Sequence, residues 1–366
     1  MKELFVYFLK LGTTGFGGPI ALLGLMEQHW VRDKKTVSAH DFHQYVAAAK
    51  LFPGPLAALV AIRIGCQMHG KKGGMLAALG LILPAFFMVL LISYFFGNAR
   101  NHSNHLATFF FMGLNLGGLA LSIIAAIRFS KPLISSETLF YLLSSAILTF
   151  FYPKQEIFFL LGCGTLSLLY HRFKNLVFEA SSSLLALLFF ESFKASLLTF
   201  GSGIAIVPVL KAVYIDQYHW VSNSDFLTAL SIGQMTPGPL VILNTYLANQ
   251  IAQLPGAALA TTGTFLPTFI FGLFVLPYFE KKLLGAPTLK TFFKGMLPAV
   301  GGAILGSVLR LCLFAVNDNA GIFSFSHAAI LILLTSIGLT TKFHPIAIML
   351  IGSTLTVLGS LAGIIQ

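Results

Sequence analysis

The chain has 366 residues, of which 56% are hydrophobic and only 10% are charged. A soluble protein carries about a quarter charged residues, so water is excluded as the main solvent and a membrane-embedded α-helical protein is predicted. The formal net charge of +11 does not indicate nucleic-acid binding, because the basic residues stand in short loops between apolar runs, where they determine topology.

Apolar segments follow one another along the whole chain, and each half contains a similar series. In the first half they cover about residues 4–28, 42–68, 74–97, 106–128, 133–152 and 156–170. In the second half they cover about residues 185–210, 225–253, 256–279, 290–316, 325–341 and 344–364. A membrane helix needs about 20 apolar residues, so most of these segments are long enough to span a bilayer.

An internal repeat relates the two halves. The matching motifs are Phe16-Gly17-Gly18 with Phe200-Gly201-Ser202-Gly203, Asp41-Phe42 with Asp225-Phe226, and Pro53-Gly54-Pro55 with Pro237-Gly238-Pro239. Each pair is 184 positions apart, whereas shared composition alone would scatter such matches. We therefore predict a duplicated unit, with a first repeat over residues 1–180 and a second over residues 181–366.

The Pro-Gly-Pro motif breaks its apolar segment in each half, because proline removes a backbone donor and ends a helix. Each broken segment is either a kinked span or a re-entrant hairpin. The first broken segment is preceded by Arg32, Lys34 and Lys35 and followed by Lys71 and Lys72. A hairpin would keep both basic groups on the cytoplasmic side. In the second half the charge bias is reversed, with the basic residues at Lys281, Lys282, Lys290 and Lys294.

The reversed charge bias predicts inverted-topology repeats. The expected fold is an all-α polytopic membrane protein with two homologous halves, each of about five spans plus one broken or re-entrant Pro-Gly-Pro hairpin. A parallel repeat is the alternative if each broken segment is a kinked span.

Helix breaks at equivalent places in two halves indicate the binding site of a transporter. Where a helix restarts after Gly-Pro, its first amide groups have no intrahelical partner and its dipole is positive, which favours an anion. The alternative is a packing kink without a ligand. The predicted anion-binding residues at the breaks are Phe16, Gly17, Gly18, Pro19, Pro53, Gly54, Pro55, Phe200, Gly201, Gly203, Pro237, Gly238 and Pro239.

Polar and charged residues near the breaks complete the candidate site. Lys50 precedes the first Pro-Gly-Pro motif, and Gln234 takes its position in the second half, followed by Thr236 as another neutral donor. A charged residue at bilayer depth costs about 2.5–3.5 kcal/mol on insertion scales, which favours a functional role for Lys50. Snorkelling to the membrane surface is the alternative for the lysines nearer to span ends. The candidate charge partners are Lys10, Arg63, Glu191 and Lys194.

The sequence shows no metal, cofactor or catalytic pattern. His40 with His43, and His102 with His105, have helical spacing, but neither pair has a third ligand, so no metal and no cofactor are predicted. Without a nucleophile elbow, phosphate-binding loop or zincin motif, we expect a transporter rather than an enzyme. An intramembrane enzyme acting on lipid, and a structural or partner-binding membrane protein, are the alternatives from other classes.

The order of Phe16-Gly17-Gly18-Pro19, a basic loop, Pro53-Gly54-Pro55 and Leu83-Pro84, repeated in the second half, resembles the two-domain chromate ion transporter family over nearly the whole chain. The resemblance implies a multi-pass plasma-membrane protein (bacterial inner membrane if prokaryotic) that expels chromate, a dianion similar to sulfate. The resemblance implies binding roles for Gly17, Gly18, Pro19, Pro53, Gly54, Pro55, Gln234, Pro237, Gly238 and Pro239. The chain departs from the family at Leu22 and Leu23, where a polar Gln or His is frequent, and at Lys50, where a glutamine is common. These departures bear on which anion is preferred.

We expect a secondary transporter in which the broken segments of both halves meet near the bilayer midplane and alternate in access. Export is favoured, because moving a dianion out of a negative interior gains about 4.6 kcal/mol per 100 mV. An importer or exchanger of sulfate or a related anion is the alternative. The expected partners are a small oxyanion and the lipid bilayer, with no nucleic acid. A homodimer is an open alternative to a monomer, because symmetric transporters often dimerise.

Overall fold

The computed structural model describes residues 1–16, 18–50, 52–100, 105–131, 134, 139–151, 183–200, 203–277, 325–341 and 345–362, with scattered residues between 298 and 312. The secondary structure of these residues is helical, apart from one isolated β-bridge between Pro53 and Phe200. Within the described residues the predicted all-α class is confirmed. The predicted segment 156–170, the repeat boundary at residue 180 and the basic residues at 281, 282, 290 and 294 lie outside them.

The first half consists of α1 to α6 in its described part. These helices are α1 (Lys2–Thr14), α2 (Gly18–Glu27, continued by a π-helical turn at Gln28–Asp33), α3 (Ala39–Ala49), α4 (Leu56–Arg100), α5 (His105–Ser130) and α6 (Leu139–Phe151). His69 and Gly70 have non-helical backbone angles. They divide α4 into an arm at residues 56–68, called α4a, and an arm at residues 71–100, called α4b.

The second half repeats this order with two short 3₁₀ turns, at Gly203–Ala205 and Leu240–Ile242. The helices of the second half are α7 (Leu184–Leu197), α8 (Ile206–Lys211, continued by a π-helical turn at Ala212–Gln217), α9 (Asn223–Met235), α10 (Leu243–Ile270, continued by a π-helical turn at Phe271–Val275), α11 (Phe325–Thr340) and α12 (Pro345–Leu361). Ala252 and Gln253 are non-helical and divide α10 into α10a (residues 243–251) and α10b (residues 254–270).

By length and composition, three described helical runs are apolar enough to cross a membrane: Leu56–Tyr94, Phe109–Arg128 and Leu240–Val275. The first and last of these runs contain the non-helical pairs at 69–70 and 252–253. Their long uninterrupted arms are therefore α4b and α10b. These two arms occupy equivalent places in the two halves.

The duplication predicted from the motifs extends to backbone angles that the motifs do not encode. The turn in α4 has φ/ψ of −142°/26° and 63°/−162°, and the turn in α10 has −137°/28° and 49°/−146°. Positive φ values also recur 184 positions apart, at Lys35 (53°) and His219 (52°). After the turns at 70 and 253 the spacing becomes 183. Equivalent positions are therefore 184 apart before each turn and 183 apart after it.

Equivalent serines begin the equivalent helices α3 and α9. The Ser38 hydroxyl accepts from the Asp41 amide at 3.0 Å, and the Ser222 hydroxyl accepts from the Asp225 amide at 3.1 Å. A serine cap with an acidic residue three positions later satisfies amides that the first helical turn leaves unpaired. The repeated Asp-Phe pair in the sequence is therefore part of a helix cap.

The ends of the broken segments in the first half lie at one edge of the molecule, called the first edge. Lys34 Nζ lies 2.6 Å from Glu3 Oε1, which joins the end of the α2 segment to the start of α1. The Met1 amine lies 2.9 Å from His69 Nε2, so the end of α4a is at the same edge. The helix breaks at residues 15–18 and 50–55 are consequently remote from this edge.

The two halves pack through α4 and α10, and the start of each long arm lies near the end of the other. Asn249 Nδ2 donates to Ser93 Oγ at 2.7 Å, which places the end of α10a beside the distal part of α4b. Lys71, at the start of α4b, lies 4.3 Å from the ring centroid of Phe274, beyond the end of α10b. The side of the molecule that holds residues 249–253 is called the second edge.

Candidate functional site

The four helix breaks are joined in two pairs by hydrogen bonds between the halves, and the two pairs together are called the crossing. The Gly54 amide donates to the Thr199 carbonyl at 2.8 Å, and the Gly238 amide donates to the Gly15 carbonyl at 3.1 Å. Gly54 and Gly238 are equivalent positions, and so are Gly15 and Thr199. The two bonds are therefore reciprocal: each half donates from its Pro-Gly-Pro motif to the end of the other half's first helix.

The two Pro-Gly-Pro motifs adopt the same strained backbone. Gly54 has φ 118° and Gly238 has φ 106°, a region that side chains with a Cβ rarely adopt. The flanking prolines supply no amide donor, so the glycine amide is the donor that each motif contributes to the crossing. Both motifs are buried. The Pro-Gly-Pro sequence thus fixes both the break and the bond across it.

The crossing is tightly packed around both glycines. A methyl group on Gly54 would collide with the hydroxyl of Thr268, on α10b. A methyl group on Gly238 would approach the Cβ of Ala85, on α4b, to 3.1 Å. Ala85 and Thr268 are equivalent positions. The long arm of each half therefore covers the Pro-Gly-Pro glycine of the other half.

The starts of two helical segments lie directly after the Pro-Gly-Pro motifs of the crossing. The Pro55 carbonyl accepts from Ala58 and Leu59 at 3.0 and 3.1 Å, which closes the first turn of α4a. In the second half the Pro239 carbonyl accepts from Ile242 at 3.1 Å. The amides before these positions have no acceptor within their own helix, and the dipole is positive there. Such a site favours an anion without needing a lysine or arginine.

The predicted residues of the Phe-Gly motifs are placed around the same breaks. Phe200 forms the β-bridge with Pro53, and Phe16 is half-buried just before α2. Gly18 and Pro19 begin α2, and Gly203 is buried at the start of a 3₁₀ turn. Gly17 and Gly201 lie outside the described residues.

Lys50 and its equivalent Gln234 have different surroundings. Lys50 is exposed at the end of α3. Gln234 is half-buried, and its Nε2 donates to the Gly118 carbonyl and to the Ser122 hydroxyl, both at 2.8 Å. Gln234 therefore joins α9 to α5. Thr236 is buried beside Pro237, and its hydroxyl donates to the Ile232 carbonyl at 2.7 Å.

The candidate charge partners are distributed over separate helices. Glu191 and Lys194 pair on α7, with Nζ 2.6 Å from Oε1, and the Tyr218 hydroxyl donates to the same oxygen at 3.1 Å. Arg63 is buried on α4a, with its guanidinium 5.0 Å from the centre of the Tyr45 ring. Lys10 is exposed on α1. The described contacts thus bring Glu191 and Lys194 together, and they place Arg63 beside Tyr45 of α3.

Two hydroxyls at the crossing were missed by the sequence reasoning. Ser196 and Thr268 are fully buried, and within the described part of the chain neither hydroxyl has a hydrogen-bond partner. Serine and threonine are common in membrane helices, so each residue alone gives no signal. Comparison of the halves would have found them, because the equivalent positions are Gly12 and Ala85. Among the described residues no three His, Cys, Asp or Glu side chains are grouped as a metal site.

Comparison with known proteins gives relatives along nearly the whole chain. Residues 2–168 and 186–357 match a family described as chromate transporter. A chromate transport protein of Cupriavidus metallidurans is 31% identical over 342 residues, covering 87% of this chain and 84% of the relative. A chromate transport protein of Pseudomonas aeruginosa is 25% identical over 338 residues, covering 84% and 80%. An uncharacterised transporter of Methanocaldococcus jannaschii is 27% identical over 387 residues, covering 96% and 93%. No solved structure matches the chain.

Proposed function

The chain belongs to the chromate transporter family, and from that premise we propose that it is a secondary transporter that carries chromate or a closely related oxyanion. The family and the long apolar helices make it a multi-pass membrane protein, and a transporter rather than an enzyme. The observation that carries the proposal is the reciprocal pair of bonds at the crossing, from Gly54 to Thr199 and from Gly238 to Gly15.

The oxyanion binds at the crossing, where backbone amides and positive helix ends are its main ligands. Two halves that each contribute a broken helix at the same place form the kind of site from which a transporter releases its substrate to either side. Binding by Phe16, Gly17, Gly18, Pro19 and the Pro-Gly-Pro motifs is part of this proposal. Lys50 acts as an exposed positive charge on the route to the site rather than as a buried ligand.

The two halves are inverted-topology repeats. Supporting contacts come from α4b, which starts at the first edge with Lys71, passes Gly238 through Ala85, and reaches Ser93 beside Asn249. The second edge thus lies at the opposite end of α4b from the first edge. A two-fold axis in the membrane plane exchanges the halves in this way, whereas a parallel repeat would place both edges on the same side.

Each Pro-Gly-Pro segment is a re-entrant hairpin, and five spans complete each half. Support for the hairpin comes from the first edge, where the end of α4a at His69 lies beside Met1 and the end of the α2 segment at Lys34 lies beside Glu3. The repeats divide at residues 180–181 of the sequence, and the protein resides in the plasma membrane.

Transport is outward and proceeds by alternating access. A dianion leaving a negative interior gains about 4.6 kcal/mol per 100 mV from the potential, at about 2.3 kcal/mol per charge. Coupling to protons would need a carboxylate that can take up and release a proton. Glu191, a buried carboxylate within the described helices, is already paired with Lys194 and Tyr218. The membrane potential therefore suffices as the driving force for export.

The test is the uptake of radiolabelled chromate by proteoliposomes under an imposed inside-positive potential. Protein-free liposomes measure leakage, and unlabelled sulfate in excess measures how far the site distinguishes the two dianions. Uptake that depends on the protein and on the potential supports the proposal. Chromate uptake equal to that of protein-free liposomes at every potential would reject it. In a parallel assay, uptake of radiolabelled sulfate without uptake of chromate would replace chromate by sulfate as the substrate.

A further inference from the structure

The crossing repeats its backbone but not its polarity. On the Gly238 side, a methyl group on that glycine would meet Ala85 at 3.1 Å and the Gly12 carbonyl at 3.9 Å. The equivalents of Gly12 and Ala85 on the Gly54 side are Ser196 and Thr268. Thr268 contacts Gly54 directly. Two apolar positions on one side of the crossing are therefore hydroxyl positions on the other.

These two hydroxyls differ from their neighbours in how they are bonded. In the same helices the Ser192, Thr199 and Thr264 hydroxyls each donate to the carbonyl one turn earlier, at 2.6, 2.8 and 2.8 Å. Ser196 and Thr268 have the same option but do not use it, and among the described residues they have no other partner. An unpaired buried hydroxyl destabilises a protein. Both groups are thus available to donate to a ligand at the crossing.

The polarity continues from the crossing into the second half. Asn244 on α10a is fully buried and donates to the Ser192 and Thr264 hydroxyls, both at 2.8 Å. Its Oδ1 atom has no partner among the described residues. The equivalent first-half residues are all apolar: Val60 for Asn244, Phe8 for Ser192 and Leu81 for Thr264. A polar lining on one side only is unexpected for helix packing alone, because packing of the first half is achieved without it.

We propose that the Ser196 and Thr268 hydroxyls donate hydrogen bonds to the transported oxyanion, which binds on the Gly54 side of the crossing. This inference rests on the proposed function and assigns the substrate to one of two pseudo-equivalent places. An oxyanion offers only acceptor atoms, and a hydroxyl that has not bonded to its own helix supplies the matching donor. The α4a helix, with its first amides at Leu56 and Ala57, supplies further donors and a positive dipole beside Gly54.

A site of hydroxyl and amide donors on the Gly54 side holds a dianion selectively without a charged side chain. Fixed hydroxyl and amide donors replace water molecules around the oxyanion, and hydrogen bonds to charged groups are about twice as strong as neutral ones. The Gly238 side offers a methyl group and a glycine instead. The site is therefore asymmetric within a repeated backbone, and substitutions at equivalent positions are expected to have unequal effects.

Equilibrium binding of radiolabelled chromate to the purified full chain in detergent tests this inference. Thr268→Val removes the hydroxyl at nearly constant shape, and Ser196→Ala removes the other hydroxyl from a different helix. Each substitution is expected to raise the Kd for chromate by about tenfold or more, which is the effect of losing a hydrogen bond to a charged group. Thr268→Ser keeps the hydroxyl and is expected to retain binding within about twofold, on the same basis.

Ser353→Ala is the matched control, because Ser353 is buried in α12 and its hydroxyl already donates to the Met349 carbonyl at 3.1 Å. Its chromate Kd is expected to equal that of the wild type. Elution volume and Tm establish that each variant is folded, and Ser196→Ala carries the test if Thr268→Val does not fold.

Three results separate this inference from the proposed function. Wild-type binding with unchanged Kd in Thr268→Val and Ser196→Ala would overturn the hydroxyl site and leave the transporter intact. Weakened binding in both variants, together with no flux through wild-type proteoliposomes, would keep the site and reject transport. A wild-type protein that binds neither chromate nor sulfate would overturn both.

Discussion

Gly54 of the first half packs so closely against Thr268 of the second half that a methyl group at position 54 would overlap the threonine hydroxyl. The backbone adds a second restriction, because Gly54 has φ 118°. Gly238 has a similar φ of 106°, but the atom nearest to a methyl group added there would be the Cβ of Ala85, at 3.1 Å. Position 54 is thus restricted by both space and backbone, and position 238 mainly by backbone.

Gly54→Ala is expected to damage the protein more than Gly238→Ala. A residue with a Cβ held at positive φ costs about 1–3 kcal/mol, and only the first substitution adds a collision with a fixed helix. We expect chromate flux in proteoliposomes to fall by at least about tenfold for Gly54→Ala, with a lower Tm, and by less for Gly238→Ala. Equal losses for the two variants would show that Thr268 does not restrict the crossing.

Gly24→Ala is the control for both glycine substitutions. Gly24 is helical, and among the residues that the structure describes no atom outside its own stretch of helix lies within 4 Å of an added methyl group. Alanine is favoured over glycine in a helix by about 1 kcal/mol, so we expect unchanged flux and an equal or slightly higher Tm.

A duplicated ion pair has exchanged its charges between the halves. In the first half Arg32 lies 3.0 Å from Glu27, with side chains 65% and 27% exposed. In the second half Lys211 and Asp216 occupy the equivalent positions at 3.4 Å, with side chains 5% and 11% exposed. Glu27 and Lys211 stand directly before the two π-helical segments, and the spacing of five residues is that of the hydrogen bonds in a π-helix.

Asp216→Asn is expected to be strongly destabilising and Arg32→Gln nearly neutral. Removing the carboxylate of a buried ion pair weakens the compensation of the remaining charge and costs up to about 3–5 kcal/mol, whereas an exposed pair contributes about 0–1 kcal/mol. Thermal unfolding in one detergent measures both effects. A Tm loss for Arg32→Gln as large as that for Asp216→Asn would show that burial does not increase the cost of losing one partner of the pair.

The proposed inverted arrangement of the halves predicts a specific cross-link. With Cys66, Cys163 and Cys312 replaced by alanine, the pair Ser93→Cys and Asn249→Cys is expected to form a disulfide on oxidation, because the two side chains are in contact at 2.7 Å. The control pair Ser93→Cys and Leu273→Cys is expected to stay reduced, since Leu273 lies beside Gly74 near the first edge.

Mobility shifts on denaturing gels measure the cross-link in both pairs. Efficient cross-linking of the control pair, with none between positions 93 and 249, would contradict the inverted arrangement.

Lys50→Gln is expected to weaken chromate uptake without abolishing it. Lys50 is exposed, and the interaction of two unit charges through water is about 1 kcal/mol at contact. The half-saturating concentration should rise by up to about fivefold, with a smaller salt dependence than in the wild type. Lys72→Gln, an exposed lysine next to the first edge, is the control. Complete loss of uptake in Lys50→Gln would make this lysine a direct ligand instead.

The helical class, the duplication and the glycine breaks could be predicted because each follows from local chemistry. Pro53, Gly54 and Pro55 break a helix in any context, and their recurrence at Pro237–Pro239 marks the duplication. The turn at His69 and Gly70 has no comparable signal, because its counterpart uses Ala252 and Gln253. Only the shared backbone angles relate the two turns.

The pairing across the crossing could not be predicted, because it depends on which carbonyl each glycine amide meets. Nothing in the sequence near Gly54 specifies Thr199 as its acceptor, 145 positions away. Lys50 and Gln234 illustrate the same limit: the repeat makes them equivalent, but tertiary packing exposes one and bonds the other to Gly118.

In the proposed mechanism the oxyanion passes through the membrane at the crossing. Its most direct test is the initial rate of chromate uptake into proteoliposomes under an inside-positive potential, compared between wild type, Gly54→Ala and Gly24→Ala. We predict uptake that rises with the potential in wild type and Gly24→Ala, and falls towards the protein-free level in Gly54→Ala. Equal, potential-driven uptake by all three proteins would contradict the claim, because transport would then not pass through the crossing.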